Sequence, residues 1–227
     1  MRTLLAILAA ALCTASAHAL SLADLTNKDA AGGLKEALTQ GAGKAVDLLG
    51  KNDGFLGNPQ VKIPLPENLQ KAEGFMRKMG MGKYADELVT TMNRAAEAAV
   101  PEAKTLLVNS IKQMSLQDAK SILTGGDDAA TQYFKRTTSA PLTGKFKPIV
   151  QKAMAKVKLA EKYDEFAGKA AKLGLVKDED AHLENYVTAK ALDGLYLMIG
   201  EEEKTIRRDP VGAVGSLAKK VFGALGK

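Results

Sequence analysis

The 227 residues hold no tryptophan, one cysteine (Cys13) and two histidines (His18 and His182). Each scarcity removes chemistry. A lone cysteine closes no disulfide within the chain, and a zinc site would have to be built from one or two histidines and carboxylates, so structural zinc is not expected. No Gly-x-Ser-x-Gly elbow occurs, which leaves that nucleophilic machinery without a carrier. The acidic run Asp178-Glu179-Asp180 lacks the alternating ligands and central glycine of a calcium loop, and no cofactor is implied. Beyond the N-terminus no stretch reaches the roughly 18 uninterrupted apolar residues of a membrane span.

What is present at the N-terminus reads as an address. Arg2 gives a positive start, Leu4 to Leu12 an apolar core, and Ala17-His18-Ala19 a small-x-small cleavage site, so cleavage is expected before Leu20. A lipid-attachment reading of Cys13 competes, but Leu12 is too large for the small residue such a site wants. The expected division is a leader over 1–19 and one domain over 20–227, exported to the periplasm. Cleavage removes Cys13, His18 and Arg2, leaving 31 basic against 26 acidic residues. That charge is spread along the chain without a basic block and interleaved aromatics, so nucleic acid is not an expected partner.

Apolar positions recur at intervals of three and four almost throughout, predicting an all-α fold of helical hairpins in a single compact domain. Leu34, Leu38, Ala45, Val46 and Leu49 mark a first helix, and Tyr84, Leu88, Met92, Ala95 and Ala99 a second strong one. Glu87, Thr90, Arg94 and Glu97 run beside that second face, either as solvated pairs or as a polar groove. Between Gly50 and Pro66 the composition shifts to an extended, proline-rich strap, in which Val61, Ile63 and Leu65 alternate with Lys62 and Pro64. Leu69, Ala72, Met76 and Met79 predict a further buried stripe ending at Gly80. The last long helix is expected from about Leu183 to Arg208, stopped by Asp209-Pro210. Val214 to Leu225 forms a short amphipathic tail that packs back or makes at most peripheral membrane contact.

The densest local signals lie between Ser115 and Leu142. Ser115 and Asp118 have the spacing of a capping box, Gly125 and Gly126 suit a helix stop through positive φ, and Asp127 or Asp128 suits the cap of the next helix. Pro141 is expected to break that helix, and another begins near Phe146. Folding explains most of these residues. Asp127, Asp128, Tyr133, Arg136, Thr137 and Thr138 are nevertheless the candidate ligand-binding residues, because the polar run after the turn has no folding reason for every member.

Several blocks are similar to a bacterial secreted family catalogued as domain of unknown function 4197. They are Gly54-Phe55-Leu56-Gly57-Asn58-Pro59, Lys62-Ile63-Pro64-Leu65-Pro66, Leu123 through Phe134, Arg136-Thr137-Thr138, Lys190 through Leu195, Glu201-Glu202-Glu203 and Ile206-Arg207. The resemblance implies an exported helical domain in a Gram-negative envelope and transfers no catalytic residue. A thiol-free, histidine-poor helical domain points to non-enzymatic binding of an envelope component or small apolar ligand, a lipid-like one included, between its helices. The alternative is a hydrolase using Asp127, Asp128, Tyr133 and Arg136; a third reading is a structural or chaperone-like interaction protein. No sequence feature specifies an oligomeric state.

Overall fold

The computed structural model describes residues 27–80, 82–164 and 182–209. The leader, the acidic run at 178–180, the tail, and the side chains of Ala72 and Met76 lie outside the described residues. Within them the chain forms α1 (Asn27–Leu49), α2 (Glu67–Lys78), α3 (Gly82–Ala99), α4 (Ala103–Gln113), α5 (Leu116–Thr124), α6 (Ala129–Met154) and α7 (Leu183–Arg208), with a 3-10 turn at Val100–Glu102. The described residues contain no strand, and the fold is all-α.

Helices α6 and α7 pack along one another at the centre, with α3 against both, α1 against α7 and α4 against α1 and α6. On α6 the buried line Ala130, Phe134, Leu142, Phe146, Val150 and Met154 follows the i+4 ridge, the row that seats helices in one another's grooves. The expected break at Pro141 does not occur: α6 runs unbroken through Pro141 and Pro148. Both prolines are exposed and seven residues apart, so the carbonyls of Thr137 and Gly144 that they leave without a helical donor fall on the solvent side.

Other apolar positions depart from the periodicity at helix ends. Tyr84 is 42% and Met79 61% exposed, each beside the α2–α3 turn, where a helical face runs past its neighbour. Lys83 covers the Tyr84 ring at 5.2 Å. The stop at Gly80 has the expected left-handed backbone, φ 73°. The Gly125 stop does not: its φ is −84°, and glycine is needed there because a Cβ would lie 2.7 Å from the Ser121 carbonyl and 2.8 Å from the Ala129 Cβ.

The strap over residues 50–66 is less extended than its prolines imply: 50–61 is a succession of hydrogen-bonded turns and bends, and only 62–66 runs without them, tied to α3 and α7 by side-chain contacts. Asn93 of α3 accepts the Ile63 N–H at 2.8 Å through Oδ1 and donates to the Ile63 and Val89 carbonyls at 2.9 and 2.8 Å. One turn on, buried Glu97 accepts the Phe55 and Leu56 N–H groups, both at 3.0 Å. Arg94 joins Glu97 at 2.6 Å to Asp53 at 2.8 Å. The stripe beside the α3 core is thus neither a solvated row nor a groove at these positions: Arg94 and Glu97 are the strap's anchor. Phe55 lies over α7 where residue 194 is glycine, since a Cβ there would sit 2.7 Å from its ring.

The capping box at the start of α5 forms as expected. Asp118 N–H donates to the Ser115 hydroxyl oxygen at 3.0 Å and Ser115 N–H to the Asp118 carboxylate at 3.2 Å. The Ser115 hydroxyl above all, then its N–H and the Arg136 charge, hold the Asp118 carboxyl below its usual range against an upward push from burial. A depressed carboxyl stabilises the fold above the unfolded value, about 3.9, and that contribution is lost as pH falls through the lower folded value. Urea midpoints should therefore drop less steeply with acid in Asp118→Asn than in the parent over that window. Equal slopes would remove Asp118 from the acid response.

Candidate functional site

The polar run after the α5–α6 turn is brought together on one side of α6. Tyr133 donates to the Ser110 carbonyl at 2.8 Å, Thr137 meets the Ser110 hydroxyl at 2.7 Å, and Arg136 pairs with Asp118 at 3.1 Å while lying over the Tyr133 ring. These side chains and Thr138 line an open cleft of about 500 Å³ between α4, α5 and α6. Asp127 and Asp128 lie outside it, exposed on the turn. Every polar side chain of the run has a partner within the protein.

The turn's aspartates do not cap α6 either. Asp128 stands at the N-cap position without a side-chain bond to a helix N–H; its carboxylate accepts instead from the Gln132 side chain at 3.0 Å. The cap comes from α7. Buried Glu203 accepts the Ala130 and Thr131 N–H groups and the Thr131 hydroxyl, each at 2.9 Å. Arg207, one turn along, pairs with Glu203 at 3.0 Å and donates to the Ile122 carbonyl at the end of α5 at 2.9 Å. A carboxylate thus meets the positive end of α6 and a guanidinium the negative end of α5.

On the opposite side of α6 lies a second cleft, of about 470 Å³, walled by α7. Lys135, Ser139, Thr143 and Lys147 line it from α6 at a constant spacing of four, and Asn185, Thr188, Ala189, Leu192, Asp193 and Tyr196 line it from α7. Its hydroxyls are already committed as donors. Ser139 donates to the Lys135 carbonyl at 2.7 Å and Thr143 to the Ser139 carbonyl at 2.9 Å, the back-bonding usual for such residues inside helices. Tyr196 meets both Thr138 and Ser139 hydroxyls, at 2.9 and 3.1 Å, while Thr138 also reaches the Phe134 carbonyl at 2.6 Å. The three hydroxyl hydrogens of Thr138, Ser139 and Tyr196 therefore serve more contacts than they can fill. Thr188 is the exception: it is 2% exposed and its hydroxyl has no hydrogen-bond partner. Lys135 rests over the Tyr196 ring at 5.9 Å, and Asp193 is drawn toward Lys190 at 3.7 Å.

His182 lies with Asp164 and Glu184, one ligand atom of each within 4.8 Å of the others. Their position explains the grouping. Asp164 accepts the Leu183 N–H at 2.9 Å, capping α7, and Glu184 occupies that helix's first turn. Burial raises the Asp164 carboxyl first, opposed by the Leu183 N–H bond.

Residues 24–223 match the family described as "Protein of unknown function (DUF4197)". The chain belongs to this family. No curated protein and no solved structure matches the chain. The blocks that carry the DUF4197 resemblance fall where the chain is held together. Phe55 and Gly194 meet face to face, Ile63 sits in the Asn93 clamp, and Thr131, Glu203 and Arg207 form the staple between α7 and the α5–α6 turn.

The α6–α7 cleft is what the sequence reading missed. Its signal is the four-residue spacing from Lys135 to Lys147, but the helix end expected at Pro141 cuts the series in two. Thr188 carried no signal, since a threonine among apolar neighbours does not announce that its hydroxyl will be stranded.

Proposed function

We propose that this chain is a non-enzymatic protein of the cell envelope that binds its ligand between α6 and α7. The observation that carries the reading is the cleft itself: a concave site with convergent polar groups, lysines at both ends of its α6 wall, and a buried hydroxyl still without a partner. The space between α1, α5, α6 and α7 is only about 10 Å³, too small for a lipid chain. The hydrolase alternative finds little support. In the α4–α5–α6 cleft the carboxylate is Asp118, which is spent on the capping box and Arg136, and Asp127 and Asp128 lie elsewhere. Export is part of the proposal and rests on the N-terminal address.

Ala189 lines the cleft and is exposed, so Ala189→Trp fills the site without disturbing the core. Native mass spectrometry after incubation with a Gram-negative envelope extract should show a small molecule retained by the parent and lost from Ala189→Trp, with unchanged melting temperatures. Retention by both proteins, or by neither, would place binding elsewhere or nowhere.

A further inference from the structure

We propose that the α6–α7 cleft takes an acidic carbohydrate: an extended, hydroxyl-bearing chain with negative charge near both ends. This deepens the binding reading above and rests on it. Two features of the lining fix the charge. Lys135 and Lys147 stand at opposite ends of the α6 wall, about 18 Å apart along a helix rising 1.5 Å per residue. Neither forms a salt bridge among the described residues, and the single acid of the lining, Asp193, leans toward Lys190. One compact anion does not satisfy two ammonium groups so far apart; an elongated one does.

The hydroxyls fix the rest. Because Ser139 and Thr143 spend their hydrogens on helix carbonyls, what they offer a ligand is lone pairs. A sulfate or a phosphodiester, with acceptors only, cannot use them, and hydrogen phosphate brings too few donors to serve both. A sugar hydroxyl donates to them and still accepts, and the stranded Thr188 hydroxyl supplies a donor on the α7 wall. The complement to the lining is therefore a molecule that donates in the middle and carries charge at its ends. Nucleotides fit poorly, because the one aromatic ring in the lining, Tyr196, is buried and offers no face for stacking. Lipid chains fit poorly because Ala189 and Leu192 are the only aliphatic side chains there.

Isothermal titration of the full mature chain with oligogalacturonates, from dimer to hexamer, tests the proposal against neutral malto-oligosaccharides of equal length and inorganic phosphate. The hexamer should bind about tenfold more tightly than the dimer, because only the longer chain spans both lysines. Lys135→Gln and Lys147→Gln should each weaken the hexamer about two- to fivefold, the range of an exposed charge pair, and leave the dimer less affected. Thr188→Val keeps the shape and removes the stranded hydroxyl, so it should weaken the hexamer while raising the melting temperature. Neutral oligomers binding as well as acidic ones would overturn the charge assignment and leave a binding cleft. Phosphate matching the hexamer would overturn the carbohydrate. Absence of binding by every saccharide, with Ala189→Trp still displacing an envelope molecule, would overturn the class alone. Binding unchanged in Thr188→Val would remove that hydroxyl from the site.

Discussion

Glu203→Ala should destabilise the protein by about 3–5 kcal/mol, the range for removing one partner of a buried charged network. The substitution takes the acceptor from the Ala130 and Thr131 N–H groups and the Thr131 hydroxyl, and leaves Arg207 facing Ile122 without its countercharge. All lie where water reaches poorly; Glu203 itself is 5% exposed. Unpaired buried donors cost about 1–3 kcal/mol each, and a charged group more, so even partial hydration leaves a large deficit. Urea unfolding followed by circular dichroism would measure it. Replacing the exposed Asp127 and Asp128 by alanine should change the midpoint little, which separates the α7 staple from the aspartates as the cap of α6. A loss from Glu203→Ala below about 1 kcal/mol would mean that the staple is redundant.

The second large effect is expected at Asn93, whose residue is 0% exposed. Its amide makes three bonds, two to the strap at Ile63 and one to its own helix. Asn93→Ala should cost about 2–4 kcal/mol by leaving the Ile63 N–H and carbonyl buried and unpaired. Asn93→Asp gives the sharper test. It keeps the acceptor for the Ile63 N–H but sets a carboxylate against the Ile63 and Val89 carbonyl oxygens, which favours the protonated acid in the folded state. A carboxyl raised in this way is tolerated below its unfolded value, and stability is lost as pH rises through the folded one. The Asp variant should accordingly recover toward the parent near pH 4 and fall behind at pH 7. A difference independent of pH would show that the clamp does not read the charge of this side chain.

The fold was legible in the sequence where periodicity is sustained and the caps are local. Leu34 through Leu49, Val187 through Ile199 and the Ser115–Asp118 box all sit as their spacing implies. What was not legible depends on partners far away in the chain. Asp127 and Asp128 have the chemistry of a cap, yet the cap is Glu203, because a buried carboxylate one helix away reaches the α6 N–H groups while the aspartates point to water. Pro141 has the chemistry of a stop, yet α6 continues, because the carbonyl it frees lies on the solvent face. Among the candidate ligand residues, Tyr133, Arg136, Thr137 and Thr138 share a cleft, but the partners that occupy them, Ser110, Asp118 and Tyr196, come from three other elements. Local spacing says which side chains share a face; it does not say whether that face is already taken.

The Glu203 staple also sets an order of events. Synthesis delivers α5 and α6 long before α7, and the carboxylate that closes their turn is 73 residues downstream of Ala130. Until that segment arrives, the start of α6 has no acceptor for its buried amides and α5 has no guanidinium at its end. A fold tied off from α7 settles only once that helix is available, which keeps the growing polypeptide pliable until then.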